Sequence, residues 1–428
     1  MSVVEQTTSA ILFFNEPVQT DIFHELEKKH KMFNFRFPKQ GKTPQQQEDL
    51  FLDFITKNFY PTTEHKLEAL YLGYSGFIPL PEGLTKKIIE DHEQLQYLKI
   101  ITFCSRGISH VPVDYLNEKY GCIIKNYDDS ELYVANDVAD CGMFHVLESF
   151  RKFSYQQSKL REVLDSIATR GYLRGDNENE LSFCFGHELK IVNKDGATEP
   201  IEEKEEEEEE EEGNKETGLE KESDKNETGL EKEEKPKTEV LEYMYTNSPM
   251  HKKALILGFG KIGQTLAKKL KYGLSMNVSY STRSGKNTTD KDVAEFEYYP
   301  WGQWNEELSQ FDCIILCLPL SPQTKHIIDE QFLLNCSRFE KGNLNHLCLV
   351  NLGRGLLIDW SGIPKNFIKS RIRHVGLDVF YAEPKLTREC DDLTLANSSV
   401  TPHIGSSTFE VYNRSSEFCL DLIKKILD

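Results

Sequence analysis

The stretch Ala254-Leu-Ile-Leu-Gly258-Phe-Gly260-Lys261-Ile262-Gly263-Gln-Thr-Leu-Ala-Lys-Lys-Leu270 decides the fold. An apolar run ends at a glycine, and helix-like spacing starts at Ile262. A strand that turns at once into a helix opens a parallel βαβ unit. The glycines stand where a dinucleotide pyrophosphate requires them. Gly258 permits the tight turn, and Gly260 lets the backbone approach the phosphates. Gly263 lets the helix pack on the strand. The helix then presents its positive end, at Lys261 and Ile262, to the phosphates. A lone GxGxxG is a weak signal. Its place between strand and helix makes this one specific.

The next strand, Met276 to Tyr280, bears on the choice of dinucleotide. An NAD-type site carries Asp or Glu at the end of this strand, against the ribose hydroxyls. Here the end reads Tyr280-Ser281-Thr282-Arg283-Ser284-Gly285-Lys286, and no carboxylate follows until Asp290. Ser281 stands about where the acid would be. Arg283 and Lys286 offer positive charge, and Ser281, Thr282 and Ser284 offer hydroxyls. A 2′-phosphate is held by such a group and repelled by a carboxylate. NADP(H) is therefore the expected cofactor, with NAD as the alternative.

Outward from this unit, Cys313-Ile-Ile-Leu-Cys-Leu and Leu347-Cys-Leu-Val-Asn read as further buried strands. Upstream, Ala10-Ile-Leu-Phe-Phe and Leu98-Lys-Ile-Ile-Thr-Phe-Cys do the same, with helical spacing over Leu84–Leu95. A longer helix is expected over Leu132–Phe153. Strands alternating with helices predict an α/β fold with parallel sheets covered on both faces. The chain has 428 residues, enough for two or three domains.

Its net charge of −19 is unevenly spread. Residues 199–239 hold 20 acidic and 7 basic residues, so −13 of the total lies there. This tract includes the run Glu205–Glu212 and the duplication Glu216-Thr-Gly-Leu-Glu-Lys-Glu / Glu227-Thr-Gly-Leu-Glu-Lys-Glu. Such composition buries too little apolar area to offset its ordering entropy. Residues 190–248 are expected to be a disordered acidic insertion. The remaining balance is ordinary, and nothing favours nucleic acid, which needs a basic surface. The 10 cysteines form no CxxC pair and no metal-ligand pattern, so no metal site is expected. No apolar run approaches the ~20 residues of a membrane span. Residues 1–10 lack a leader pattern. A cytoplasmic protein with reduced thiols is the expectation.

Three more motifs follow: Leu349-Val-Asn-Leu-Gly-Arg354-Gly355, Gly376-Leu-Asp378-Val-Phe-Tyr-Ala-Glu383-Pro384, and Thr401-Pro402-His403-Ile404-Gly405. With the glycine turn and Leu318-Pro319-Leu320-Ser-Pro322-Gln-Thr324-Lys-His326, they closely resemble the D-isomer-specific 2-hydroxyacid dehydrogenase family, glyoxylate/hydroxypyruvate reductases included. The resemblance is dense from Lys252 to Thr408. It is looser upstream, where Arg106-Gly107-Ile108-Ser109-His110 resembles the substrate loop and Asn136-Asp137-Val138-Ala139-Asp140 the start of the linking helix.

The residues make chemical sense without the name. A 2-keto acid's carboxylate needs a cationic fork, and Arg354 supplies one. The carbonyl oxygen needs a proton donor near neutral pH, and His403 supplies it. A carboxylate beside the imidazole raises its pKa and fixes its ring, and Glu383 is the candidate. Each alone has a bland reading, as turn, solvated loop or structural histidine. Together, behind a dinucleotide turn, they read as a catalytic set. The resemblance further implies that Pro319, Thr324 and Asp378 lie at the cofactor, Asp378 near the nicotinamide carboxamide. It implies that Gly107, Ile108 and Ser109 bind the substrate carboxylate.

The implied architecture has two lobes. A flavodoxin-like substrate domain covers 1–130 and is completed by 407–428. A Rossmann dinucleotide-binding domain covers 131–406, interrupted by the insertion. A homodimer through the long helix is implied as well. Two departures stand out. Gly353 replaces a more usual alanine and is expected to loosen the backbone before Arg354. Ser361-Gly362-Ile363-Pro364 interrupts an expected helix. A rival reading keeps the fold but not the turnover: a dinucleotide-sensing, corepressor-like module using the acidic insertion. Deletion of 190–248 separates the two, because an enzyme keeps its kinetics and an adaptor loses its partners.

Overall fold

The computed structural model describes residues 7–166 and 246–428, apart from 15–16, 39–40, 75, 81, 106, 109, 287–290, 304–306, 337–346, 364–371, 382, 384–385 and 387–396. Between these stretches it describes residue 169 and the backbone of three strands within 181–199.

The first sheet is built from β1 (Thr8–Phe13), β2 (Lys31–Asn34), β3 (His65–Tyr71), β4 (Ile100–Phe103) and β5 (Ile123–Asn126). Its order is β2-β1-β3-β4-β5, and all pairs are parallel. That is the flavodoxin-like order. Its helices are α1 (Asp21–Lys29), α2 (Pro44–Asn58), α3 (Lys86–Asp91) and α4 (Val113–Tyr120). Local chemistry explains their starts. Thr43 and Gln46 form a reciprocal capping box ahead of Pro44 at the first turn of α2.

Two helices follow, α5 (Tyr133–Arg151) and α6 (Phe153–Val163). The Asp129 carboxylate accepts from the N–H groups of Val134 and Ala135, at 2.8 and 3.1 Å, and so caps α5. Next come β6 (Leu181–Phe185), β7 (Glu188–Val192) and β8 (Thr198–Glu199), a small antiparallel sheet. Regular structure thus extends to residue 192 and recurs over 198–199, within the first residues of the expected insertion, 190–248. Charge density marked that boundary, but the apolar Leu189, Ile191 and Val192 precede the acidic tract and suit a strand. The glutamate run and the duplication lie outside the described residues.

The second sheet is larger. It contains β9 (Lys253–Leu257), β10 (Asn277–Ser281), β11 (Glu297–Tyr298), β12 (Cys313–Leu316), β13 (Leu347–Asn351), β14 (Ile372–Leu377) and β15 (Ser398–Val400). The order is β11-β10-β9-β12-β13-β14-β15, all parallel. The helices α7 (Lys261–Leu274), α8 (Lys291–Ala294) and α9 (Glu330–Asn335) belong to it. The central strands β9, β12 and β13 are apolar apart from Lys253 and Asn351 at their ends, because both faces are covered. One face packs on Val138, Val146, Phe150, Leu266 and Leu270 of α5 and α7. The other packs on Leu308, Phe311, Phe332 and Leu333.

The chain finishes in α10 (Phe409–Leu427), which returns to the first sheet. Cys419, Leu420 and Ile423 bury against Ile11, Phe13, Tyr71 and Ile100. Strand order reverses at β9, with β10 on one side and β12 on the other. In open α/β sheets, ligands bind at the carboxyl ends of the strands beside such a reversal. Among the described residues, no helix is long and apolar enough to cross a membrane.

Candidate active site

The glycine turn joins β9 to α7 at that reversal. Gly258 takes a left-handed backbone, φ +99, and its N–H donates to the Ser281 carbonyl at 2.9 Å. A Cβ at Gly258 would stand 2.7 Å from the Cys317 carbonyl oxygen, and one at Gly263 would stand 2.2 Å from the Gly258 oxygen. Both positions therefore exclude side chains. Gly260 differs: a Cβ there meets nothing within 4 Å. Its bare backbone fronts open space at the start of a 14-residue helix whose first N–H groups need an acceptor. At the end of β10, the Ser281 hydroxyl is fully buried with no hydrogen-bond partner among the described residues. An open glycine cradle, a helix N-terminus and an orphaned hydroxyl fit a nucleotide with a diphosphate.

The other residues expected at the cofactor behave unequally. Arg283, Ser284 and Lys286 are exposed on the turn after β10. Arg283 Nη1 reaches Gln323 Oε1 at 3.5 Å, so this turn meets the 318–326 loop. Ile262 packs partly into the core. Lys261 turns its Nζ away, onto the carbonyls of Asp128 and Asp129 at 3.1 and 2.8 Å. Its side chain ties the dinucleotide turn to the chain entering α5, and only its backbone faces the helix end. Pro319 is exposed. Thr324 is a correction. Its side chain is fully buried, donating to the Pro319 carbonyl at 2.7 Å and accepting from Ser321 N–H at 2.8 Å. It shapes its own loop rather than facing a ligand. Asp290 lies outside the described residues.

Arg354 follows β13 on a turn built by Asn351. The Asn351 side chain accepts from Gly353 N–H at 3.0 Å and donates to the Arg354 carbonyl at 2.9 Å. Sequence reasoning missed Asn351, whose signal was an amide residue closing an apolar strand just before Gly-Arg. Gly353 corrects a second expectation. A Cβ there would lie 2.5 Å from the Leu318 carbonyl oxygen and 2.7 Å from Leu357 Cδ1. The glycine permits close packing of β13 on the Leu318 strand end, so this segment is tight rather than loose. Arg354 is itself exposed, with Nη1 donating to the Gly353 carbonyl at 2.7 Å. Its Nη2 would lie 3.8 Å from a Cβ at Gly107. The guanidinium of one lobe and the glycine loop of the other therefore meet. Ile108 is partly exposed beside them, whereas Arg106 and Ser109 lie outside the described residues.

Glu383 Oε2 lies 2.7 Å from His403 Nδ1, and Glu383 Oε1 accepts from Phe380 N–H at 2.8 Å. The pair is open to solvent, with the His403 side chain 46% and the Glu383 side chain 34% exposed. The Glu383 hydrogen bond raises the His403 pKa above its ordinary value, although burial opposes it and the nearby Arg354 charge lowers it slightly. Burial raises Glu383, but the bonds from His403 and Phe380 and the charges of His403 and Arg354 outweigh it, and its pKa falls. With Nδ1 committed to the carboxylate, Nε2 is the ring nitrogen left for proton transfer. His403 sits in a left-handed turn, φ 54, with its N–H on the Thr401 carbonyl at 2.9 Å.

Asp378 holds that turn in place. It is buried and accepts from Thr401 Oγ1 at 2.7 Å, Ile404 N–H at 2.9 Å and Gly405 N–H at 3.0 Å. Both carboxylate oxygens are therefore engaged with the His403 loop. Among the described residues, no group of His, Cys, Asp and Glu could hold a metal ion. The 361–364 irregularity is described only to Ile363, as a turn held by Asp359. Its remainder lies outside the described residues.

A dinucleotide turn on a seven-stranded parallel sheet, with an arginine and a histidine–carboxylate pair at the strand ends, defines a nicotinamide-dependent oxidoreductase of two lobes. The family model for the NAD-binding domain of D-isomer specific 2-hydroxyacid dehydrogenases matches residues 227–405. A Saccharomyces cerevisiae protein provisionally named a 2-hydroxyacid dehydrogenase is 32% identical over 437 residues, covering 97% of this chain and 93% of that protein. This chain belongs to the D-isomer specific 2-hydroxyacid dehydrogenase family, NAD(P)-dependent enzymes acting on CH–OH donors. A glyoxylate reductase of Pyrococcus furiosus is 36% identical over 162 residues, 38% of this chain and 44% of that enzyme. The holo structure of Rhodotorula graminis D-mandelate dehydrogenase has the same fold. It shows a TM-score of 0.65 at 17% identity and covers 98% of this chain and 94% of that one.

Proposed function

We propose that this enzyme reduces a small 2-keto acid, glyoxylate or hydroxypyruvate, to its 2-hydroxy acid with NADPH, and runs the reverse reaction at the same site. The observation that carries this reading is the meeting of Arg354 with Gly107, next to the His403–Glu383 pair. Arg354 grips the substrate carboxylate, with the backbone N–H groups of Ile108 and Ser109 assisting. His403, charged through Glu383, donates its Nε2 proton to the carbonyl oxygen. When bound, the reduced nicotinamide supplies hydride to the carbonyl carbon. In oxidation, neutral His403 takes the hydroxyl proton instead. The glyoxylate reductase match, over 162 residues, supports the small substrate.

The NADP preference rests on Ser281, Arg283, Ser284 and Lys286 and on the lack of a carboxylate among the described residues of that turn. The test is oxidation of NADPH against NADH, with glyoxylate, hydroxypyruvate, pyruvate and a branched-chain keto acid. NADPH is expected to be preferred. Arg283→Ala should raise its KM about tenfold, the loss of one charge-assisted hydrogen bond, and leave NADH unchanged. Equal use of both cofactors by the unmodified enzyme would overturn the preference.

We also infer a homodimer. Phe144 on α5, Phe153 and Leu160 on α6 and Leu164 just after it are all exposed, Leu164 at 84%. Several large apolar side chains left exposed on adjoining helices are a common mark of an interface. Sedimentation equilibrium should give twice the mass of 49.4 kDa. A single species of one-chain mass at micromolar protein counts against it.

A further inference from the structure

Side chains that take no direct part in the reaction form one hydrogen-bonded line beneath the His403 loop. Lys152, which ends α5, places Nζ 2.7 Å from His374 Nδ1 on β14. His374 Nε2 lies 3.0 Å from Ser399 Oγ on β15. The same hydroxyl lies 2.8 Å from His145 Nδ1 on α5, and His145 Nε2 lies 3.1 Å from Thr401 Oγ1. Thr401 then donates to Asp378 Oδ1 at 2.7 Å. Every member is buried except Thr401, which is partly so. The fold makes room for the line: a Cβ at Gly376 would stand 2.7 Å from His145 Cβ.

The carboxylate dictates the direction of every bond. Thr401 gives its only proton to Asp378, so it must accept from His145, whose Nε2 therefore carries hydrogen. His145 Nδ1 then accepts from Ser399, which must in turn accept from His374 Nε2–H. His374 Nδ1 is left to accept from Lys152. Each donor points toward Asp378, and both histidines share one tautomer. Burial lowers both imidazole pKa values, that of His145 to about 4. Both rings are thus neutral near pH 7, as this pattern requires. Burial lowers Lys152 to about 7, with Arg373 of β14 lowering it further and Cys348 of β13 and Glu148 of α5 opposing. Ammonium and amine forms both donate to His374, so the line survives its titration.

We propose that Lys152, His374, Ser399 and His145 are positioning residues for the reaction, fixing Thr401 and, through Asp378, the place where His403 presents Nε2. Satisfied buried networks rigidify the elements they join. This one joins α5, β14 and β15 to the loop that carries the proton donor. The same residues look like unremarkable core when taken one at a time.

Two arms test this. The kinetic arm rests on the function proposed above. His145→Leu removes the donor to Thr401 and should lower kcat about tenfold, the effect of one weakened bond to a charged group, with KM nearly unchanged. The alkaline limb of reduction should move to lower pH, because a looser loop weakens the His403–Glu383 bond. His145→Gln keeps an N–H where Nε2 stood and should restore most of kcat and the pH profile. Equal loss in both variants, or an unmoved limb, would make the line structural packing only. The spectroscopic arm needs no turnover. In ¹⁵N-histidine-labelled full-length protein, two rings should hold the neutral Nε2–H tautomer from pH 5.5 to 8. Lys152→Met should perturb one of them. If no ring is locked in that form, the line does not exist as drawn, whatever the substrate. Locked rings with no turnover on any keto acid would instead sink the functional reading and leave the network standing.

Discussion

Replacing His403 by alanine is expected to lower keto-acid turnover by about 10²–10⁴-fold, the usual range for a lost general acid, while NADPH binding stays intact. The two effects separate because His403 lies on the loop after β15, whereas the dinucleotide cradle lies between β9 and α7. Glu383→Gln should act through the imidazole. It keeps a hydrogen-bond acceptor but removes the charge that helps raise the His403 pKa. Reduction needs protonated His403, so its rate is full below that pKa and falls as pH rises through it. With the pKa lowered, the falling limb moves to lower pH. Oxidation needs the neutral ring, so its rising limb moves the same way. A kcat/KM profile measured in both directions checks the sign. Opposite movement of the two limbs, or turnover surviving His403→Ala, would remove His403 from the mechanism.

The parts of this site legible in the sequence are those whose chemistry is local. Gly258, Gly260 and Gly263 fall within six residues, and the turn geometry alone demands them. Arg354, Glu383 and His403 each sit in a short motif after an apolar strand, where a parallel sheet presents its ligand-binding edge. What stayed hidden depends on contacts distant in sequence. His145 and His374 lie on separate elements and meet only through Ser399. Nothing at either position distinguishes a relay from a satisfied core histidine. The motif around Thr324 places it at the cofactor, and only the fold turns its hydroxyl inward. Gly353 read as slack because the Leu318 carbonyl that crowds it comes from another strand end. The start of the insertion is the opposite case. A global signal, charge, outweighed the local strand pattern of β7.

The remaining large effect belongs to Arg354. Arg354→Met is expected to lower kcat/KM by about 10²–10³-fold, the cost of removing one partner from a hydrogen-bonded charge pair. The loss should appear in KM as well as kcat, because a substrate carboxylate left unpaired is neither held nor oriented. Arg354→Lys should recover only part of it. The Asn351 clamp and the Gly353 carbonyl fix a planar fork beside Gly107, and an ammonium cannot reproduce its two parallel donors. The backbone would remain intact in both variants, since the two Asn351 bonds hold the turn even when the Nη1 bond to the Gly353 carbonyl is lost. The NADPH dissociation constant should therefore stay within about twofold, as for sites that share no contact. A keto acid series separates carboxylate binding from general damage. Against an aldehyde of the same size that lacks the carboxylate, wild type and Arg354→Met should perform alike. If the variant loses as much on the aldehyde as on the acid, Arg354 does not bind the carboxylate, and the site must hold its substrate by the Gly107 loop alone.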